Sequence, residues 1–153
     1  AELSPPRVDH QTGGVLRKTN EPLDVAIKGN GLIQVTVRGQ QRFTRCGRLT
    51  LDGRRRLCVR CNALIAPIEP EVMLPEDAGA VRVAETGVVE VQQGSGEEWV
   101  SVGEVKLFRF LNAAELRPCG NTLFAESMGS GTPQEGQPAT GGYGALVSGH
   151  LEG

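Results

Sequence analysis

The sequence predicts an all-β protein, built mainly of antiparallel strands and hairpins in a sandwich- or barrel-like arrangement, with at most one or two short helical turns. Three observations carry this. Apolar residues alternate with polar ones at a period of two from residue 15 to about 111. Turn signals recur roughly every 8–12 residues, the spacing of a sandwich or barrel. No window sustains the i, i+3, i+4, i+7 apolar stripe of an amphipathic helix. Composition agrees: 21 Gly and 9 Pro among 153 residues favour turns. Only 4% of residues are aromatic, so the core must be mostly Val, Leu, Ile and Ala. A chain of this length buries roughly 70% of its unfolded surface, enough for a real core.

The elements follow in order. Residues 1–14 read as an extended lead-in, broken by Pro5-Pro6 and Gly13-Gly14. Residues 15–126 read as a β-rich central domain, and 127–153 as a Gly/Pro-rich loop and a return strand. Within 22–35, two short apolar runs flank Gly29-Asn30-Gly31, which reads as a β-hairpin turn. Ile33, Val35 and Val37 share one strand face, opposite Gln34, Thr36 and Arg38. Glu85-Thr86-Gly87 separates two alternating runs, Val81 with Val83 and Val89 with Val91. In 99–111, Val105 and Leu107 occupy one face while Phe108 and Phe110 occupy the other. A strand apolar on both faces is expected at a sheet centre. Leu111–Leu116 suits one helical turn capped by Asn112. Residues 127–144, with six Gly and two Pro, read as a long loop.

Charge is segregated. Residues 1–60 carry 12 Lys and Arg against 5 Asp and Glu, and residues 61–153 carry 4 against 13. The densest basic run is Arg42, Arg45, Arg48, Arg54, Arg55, Arg56 and Arg60. It has two readings: a nucleic-acid patch, or a solvated face that meets an acidic one on a neighbouring copy. The scarcity of base-stacking aromatics favours the second. No apolar run approaches the ~20 residues of a membrane-spanning helix, and residues 1–14 do not resemble a signal peptide.

No motif assembles a catalytic or cofactor site. Gly29-Asn30-Gly31 begins like a dinucleotide fingerprint, but Gln34 stands where the third glycine is needed and no helix pattern follows. His10 and His150 lie at opposite ends without a nearby triad partner. Glu97 and Glu98 are adjacent, which on a strand points them apart. The four cysteines admit three readings: structural thiols or a disulfide, a zinc site of Cys46, Cys58, Cys61 and Cys119, or a redox dithiol. One close pair and two distant single cysteines suit zinc poorly. On a strand Cys58 and Cys61 sit about 10 Å apart, from three rises of roughly 3.3 Å, beyond the ~7 Å a disulfide spans. If Gly53-Arg54 is a two-residue hairpin loop, residue 52 faces 55 and Cys46 faces Cys61, which makes Cys46–Cys61 the candidate disulfide.

The stretch Pro22-Leu23-Asp24-Val25 through Val35 resembles the signature of the bacterial flagellar rod and hook family. Phe43-Thr44-Arg45-Cys46-Gly47 is similar to that family's aromatic-Thr-Arg-x-Gly. Leu49–Asp52 with Leu57, Val102–Leu107 with Phe110 and Asn112, Gly120–Phe124, and Gly149–Gly153 resemble later family segments in the same order. Gly-Ser-Gly-Thr-Pro at 129–133 favours the distal rod type, with the proximal rod type as the alternative. The chain departs from the pattern at Leu32-Ile33, where two aromatics are usual, at Cys46, where Asp or Asn is usual, and at Arg55, where a turn glycine is expected.

The resemblance implies a structural, non-enzymatic subunit without cofactors that packs helically into the drive shaft carrying torque from motor to hook. It implies partners in other copies of the chain, the proximal rod and hook proteins and the outer ring bushing, with no nucleic acid and no membrane insertion. It implies export by the flagellar type III apparatus without a cleaved signal, and a periplasmic basal-body location where thiols meet oxidising conditions. Arg54, Arg55 and Arg56 are the expected subunit contact. Family members carry terminal helices, and this chain stops at Gly153, where one would begin. The expectation is a middle domain that stays a soluble monomer. A β-rich binding module with a cysteine-held structural zinc is the competing reading.

Overall fold

The structure, a computed structural model, describes residues 15–152. The lead-in expected over 1–14, His10 included, lies outside the described residues. In chain order the strands are β1 (Leu16–Lys18), β2 (Val25–Lys28), β3 (Ile33–Val37), β4 (Gln40–Thr44), β5 (Leu49–Leu51), β6 (Leu57–Cys61), β7 (Leu64–Glu69) and β8 (Ala78–Val83). They continue as β9 (Val88–Gln93), β10 (Trp99–Glu104), β11 (Leu107–Arg109), β12 (Arg117–Pro118), β13 (Phe124–Ala125), β14 (Gln134–Gly136), β15 (Ala145–Ser148) and β16 (His150–Glu152). A single 3-10 turn, Ala113–Glu115, is the helical content of the described residues. The all-β expectation is met.

The largest sheet has seven strands in the order β12-β13-β4-β3-β7-β6-β5. A three-stranded sheet, β10-β9-β8, and the pairs β2–β15, β1–β16 and β11–β14 complete the fold. Every strand pairing is antiparallel. The hairpin turns follow local chemistry. Arg38 and Gly39 join β3 to β4 with φ of 53° and 79°, the positive pair that matches strand twist in a two-residue turn. Gly87, at φ 93°, closes the β8–β9 turn where the sequence placed it.

The Gly29-Asn30-Gly31 turn is not a hairpin. β2 pairs with β15 and β3 pairs with β4 and β7, so the turn passes the chain from one sheet to another. Its glycines are needed for close approach as well as for positive φ. A Cβ on Gly29 would lie 2.8 Å from Gly144 Cα, and one on Gly31 would lie 3.0 Å from Leu107 Cβ. The strand expected over 99–111 is also revised. It divides at Val105-Lys106 into β10, an edge strand, and β11, which pairs with β14 on one side and, through Phe108, with Leu32 on the other.

Two apolar clusters explain why that segment is apolar on both faces. The main core holds Val25, Ile27, Ile33, Val35, Leu57, Val59, Ile68, Val89, Val91, Val105, Leu107 and Leu146, among others. A second cluster joins Leu32, Phe43, Phe108, Phe110 and Leu116. Phe43 meets Phe108 and Phe110 edge-on, with ring centroids 5.9 and 4.8 Å away. Residues 105–110 therefore run between two cores, which gives the same doubly apolar pattern as the middle of a sheet.

Residues 127–144 are tied down rather than loose. Ser130 is fully buried; its hydroxyl accepts from Ser127 N–H and reaches the carbonyls of Ser127 and Gly131. Tyr143 donates its hydroxyl to the Gln134 carbonyl at 2.7 Å, with its ring across Gly136. The helical turn sits where expected, but Asn112 does not cap it through its side chain. Its amide donates instead to the Gly129 carbonyl. Leu107 lies under Gly31 and inside the main core. We expect Leu107→Ala to cost about 3 kcal/mol, read as a lowered urea midpoint at unchanged m-value.

Candidate functional site

The segment Phe43-Thr44-Arg45-Cys46-Gly47 is the best-defined polar structure in the fold. Each member but one has a committed role. Phe43 anchors the aromatic cluster. Thr44 is fully buried; its hydroxyl donates to the Thr122 carbonyl at 2.8 Å and accepts Cys46 N–H at 3.0 Å. Gly47 sits so near β2 that a Cβ would fall 1.7 Å from the Val25 carbonyl oxygen. Its own carbonyl accepts Val25 N–H at 2.9 Å.

Arg45 binds four residues in three parts of the fold at once. Nη1 donates to the carbonyls of Gly29 and Gly31 at 2.7 and 2.9 Å. Nη2 donates to the Ile27 carbonyl at 2.8 Å and to Glu152 Oε2 at 2.8 Å, while Nε reaches Glu152 Oε1 at 3.3 Å. The Arg45 side chain is 11% exposed and that of Glu152 22%. The planar fork matches the carboxylate, and its remaining donors match the carbonyls turned inward by the Gly-Asn-Gly joint. The sequence placed Arg45 among a run of surface arginines. Its partners lie up to 107 residues away, so only its place in the Thr-Arg-x-Gly motif hinted at this role.

Beside this clamp lies a groove of about 470 Å³ lined by Arg17, Arg48, Arg60, Cys46, Cys61 and Glu152, among others. Cys46, the uncommitted position of the motif, is half-buried, and Cys61 is buried at the end of β6. Cys46 Sγ lies 3.4 Å from the carbonyl of Arg60, the residue before Cys61. The neighbouring Cys61 side chain, helped by the Arg48 backbone and cation, draws the Cys46 thiol below its ordinary range against the effect of burial. The Cys46 side chain, with burial, pushes Cys61 far up.

The cysteines do not form the four-thiolate set. Cys58 is buried, with its thiol raised by desolvation to about 11 and donating to the Arg56 carbonyl. Cys119 is exposed beyond β12. Among the described residues no group of three or more His, Cys, Asp or Glu could hold a metal. The zinc reading therefore finds no site.

The β5–β6 hairpin also differs in register. Leu51 faces Leu57 and Asp52 bonds Arg56, so the loop is the three residues 53–55 rather than Gly53-Arg54. Arg55 takes the left-handed position at φ 63°, where the family pattern expects glycine. It is held there by its Nε donating to the Pro75 carbonyl at 3.0 Å. Asp52 closes the loop, accepting Arg54 N–H, Arg56 N–H and Arg56 Nε at 2.8–2.9 Å. Of the three expected contact arginines, Arg54 is the one whose side chain is given over to solvent; Arg55 and Arg56 are half-buried.

Two outcomes are expected from these contacts. Arg45→Ala removes a largely buried ion pair and leaves carbonyls short of donors, so it should cost about 3–5 kcal/mol in urea unfolding. Arg45→Lys, which keeps the charge but not the fork, should recover only part of that. The Arg56 backbone N–H, then its guanidinium, hold the Asp52 carboxyl below its ordinary value of 3.8. A lowered folded-state pKa adds stability above the unfolded-state pKa, and that stability fades as pH falls through the folded value. Carboxyl NMR should therefore place the Asp52 midpoint below 3.8, and Arg56→Ala should move it up.

Comparison with known proteins fits this geometry. The pattern described as "Flagellar hook protein FlgE/F/G D1 domain" matches residues 26–91, which include β3 to β8 and the Arg45 motif. The chain is 34% identical over 142 residues to the flagellar basal-body rod protein FlgG of Buchnera aphidicola (from Acyrthosiphon pisum), covering 92% of this chain and 54% of that protein. It is 32% identical over 142 residues to FlgG of Borreliella burgdorferi (91% and 52%) and 30% identical over 145 residues to FlgG of Bacillus subtilis (94% and 54%). The chain spans about half the length of the curated relatives it matches. With the family's motifs in order and its central strands in place, this chain belongs to the bacterial flagellar rod and hook family.

Proposed function

We propose that this chain is the β domain of a distal rod subunit, which packs with other copies into the helical shaft that carries torque from motor to hook. The observation that carries the reading is the similarity to basal-body rod proteins over 91–94% of the chain. The work such a domain does is mechanical: it must keep its shape and present surfaces. Partners beyond its own copies would be the proximal rod and hook proteins and the surrounding ring, at the periplasmic basal body after flagellar export.

The surface supports assembly through complementary charge. Arg48, Arg54 and Arg60 are exposed on and beside the β5–β6 hairpin. Glu76, Asp77, Glu97 and Glu98 are exposed on the loops bounding the β8–β10 sheet. Basic and acidic faces carried by different sheets suit a heterologous contact, in which one face of a copy meets the other face of the next and the assembly grows without closing. The same geometry narrows the expected contact. Arg56 is engaged with Asp52 and Arg55 with Pro75, so their reversal would damage the hairpin before it tested an interface.

Two measurements test the reading. The full-length protein should co-purify with isolated basal bodies; its absence from them rejects the rod assignment. In that protein Arg54→Glu should reduce rod assembly and swimming while leaving the thermal midpoint of the domain unchanged. Undiminished assembly would remove Arg54 from the contact.

A further inference from the structure

Two thiols meet in the groove beside Arg45. Cys46 follows β4 on the strand-to-strand link, and Cys61 ends β6, so together they bracket the β5–β6 hairpin. Both line one groove, Arg60 N–H donates to the Arg48 carbonyl at 2.8 Å between them, and Cys46 Sγ lies 3.4 Å from the carbonyl of Arg60, the residue before Cys61. They differ in access: Cys46 is half-buried and opens on the groove, whereas Cys61 is 1% exposed behind it. Arg48 and Arg60 line the same groove. Cys58 and Cys119 take no part in it, each donating instead to the carbonyl two residues before it.

We infer that Cys46 and Cys61 are a dithiol–disulfide couple, with Cys46 as the attacking thiol and Cys61 as the resolving one. The oxidant is a small-molecule disulfide such as oxidised glutathione. The Cys46 thiolate attacks one of its sulfurs; a protein–glutathione bond forms, the glutathione S–S bond breaks and one glutathione thiolate leaves. Cys61 gives up its proton to solvent and attacks Cys46 Sγ, expelling the second glutathione. The protein loses two hydrogens and two electrons, and the glutathione disulfide gains them as two thiols. The local chemistry favours this order. The thiolate is the nucleophile, and the Cys61 side chain and the Arg48 cation both favour thiolate at Cys46, whereas Asp24 opposes it.

The product would close a loop around the hairpin next to the Arg45 clamp. Such a cross-link restricts the unfolded chain and raises stability. The inference needs no rod assembly, so it stands or falls apart from the proposed function.

The test uses the whole chain, treated with oxidised glutathione, alkylated without reduction and digested with trypsin. The sequence separates the candidates, because cleavage after Arg45, Arg48, Arg56, Arg60 and Arg82 puts Cys46 on 46–48, Cys58 on 57–60 and Cys61 on 61–82. Expected is a linked peptide joining 46–48 to 61–82, with Cys58 still alkylated as a free thiol. The oxidised protein should melt roughly 5–10 °C above the reduced one. Cys61→Ser should stop at a stable glutathione adduct on Cys46, and Cys46→Ser should leave Cys61 unmodified. A lasting glutathione adduct on wild-type Cys46 with no linked peptide would overturn the inference, as would a link to Cys58 or Cys119. Should either serine variant not fold, the wild-type peptide map decides alone.

Discussion

The fold depends on one guanidinium. Arg45 takes the carbonyls of Ile27, Gly29 and Gly31 and the carboxylate of Glu152 into a single fork. These groups belong to β2, to the joint between two sheets, and to the C-terminal strand β16. Without a cation the part-buried carbonyls of Ile27 and Gly31 would be left short of donors, at a cost of about 1–3 kcal/mol each, while that of Gly29 would turn to water. Glu152 in turn sets a carboxylate against that cation at 2.8 Å in a largely buried site. The three parts justify one another, and this makes the short motif around Arg45 a structural unit. Thr44 fixes the chain on one side through Thr122, and Gly47 permits contact with Val25 on the other.

That clamp sets where the two cores meet. Gly31 leads directly into Leu32, which belongs to the aromatic cluster, and Ile33, which belongs to the main core. Leu32 exchanges both backbone hydrogen bonds with Phe108 at 2.8–2.9 Å. The joint and the 105–110 segment thus cross at the boundary, each sending alternate side chains to opposite clusters. A strand normally offers one face to a core and one to water. Here β11 has a backbone partner on each side, β14 and Leu32, and both faces are buried because the second cluster takes up the face that water would otherwise meet.

Much of this was legible in the sequence because it rests on local signals. The period-two runs, the Gly87 turn and the short helical turn near 112 depend on neighbours a few residues apart. What escaped depends on distant partners. Gly29-Asn30-Gly31 carries the same local signal whether its flanking strands pair with each other or diverge; the divergence is decided by Gly144 and Leu107 packing against the glycines. Residues 127–144 are rich in breakers, yet Ser130 and Tyr143 replace strand hydrogen bonds with side-chain ones. The β5–β6 register failed by one residue because Arg55 adopts a backbone conformation that usually marks glycine or asparagine. Asp52 and Pro75 hold it there, and neither can be recognised as a partner from spacing alone. In the candidate site, Cys46 and Cys61 line one groove, although the ladder register that suggested pairing them does not hold.

The chain's departures from its family pattern fall where the fold leaves room. Leu32 replaces an aromatic inside a cluster that still holds Phe43, Phe108 and Phe110, so a branched aliphatic fills the remaining space. Arg55 replaces a turn glycine, and its side chain gains a carbonyl partner that glycine could not have. Cys46 stands between Arg45 and Gly47, the two motif positions with no tolerance, but its own side chain opens on the groove. A residue whose neighbours are fixed on both sides has its backbone geometry set for it, and the Cys46 thiol is further placed by the Arg60 carbonyl. Chemistry can be added at such a position without disturbing the clamp, and there the chain carries a thiol facing a second thiol.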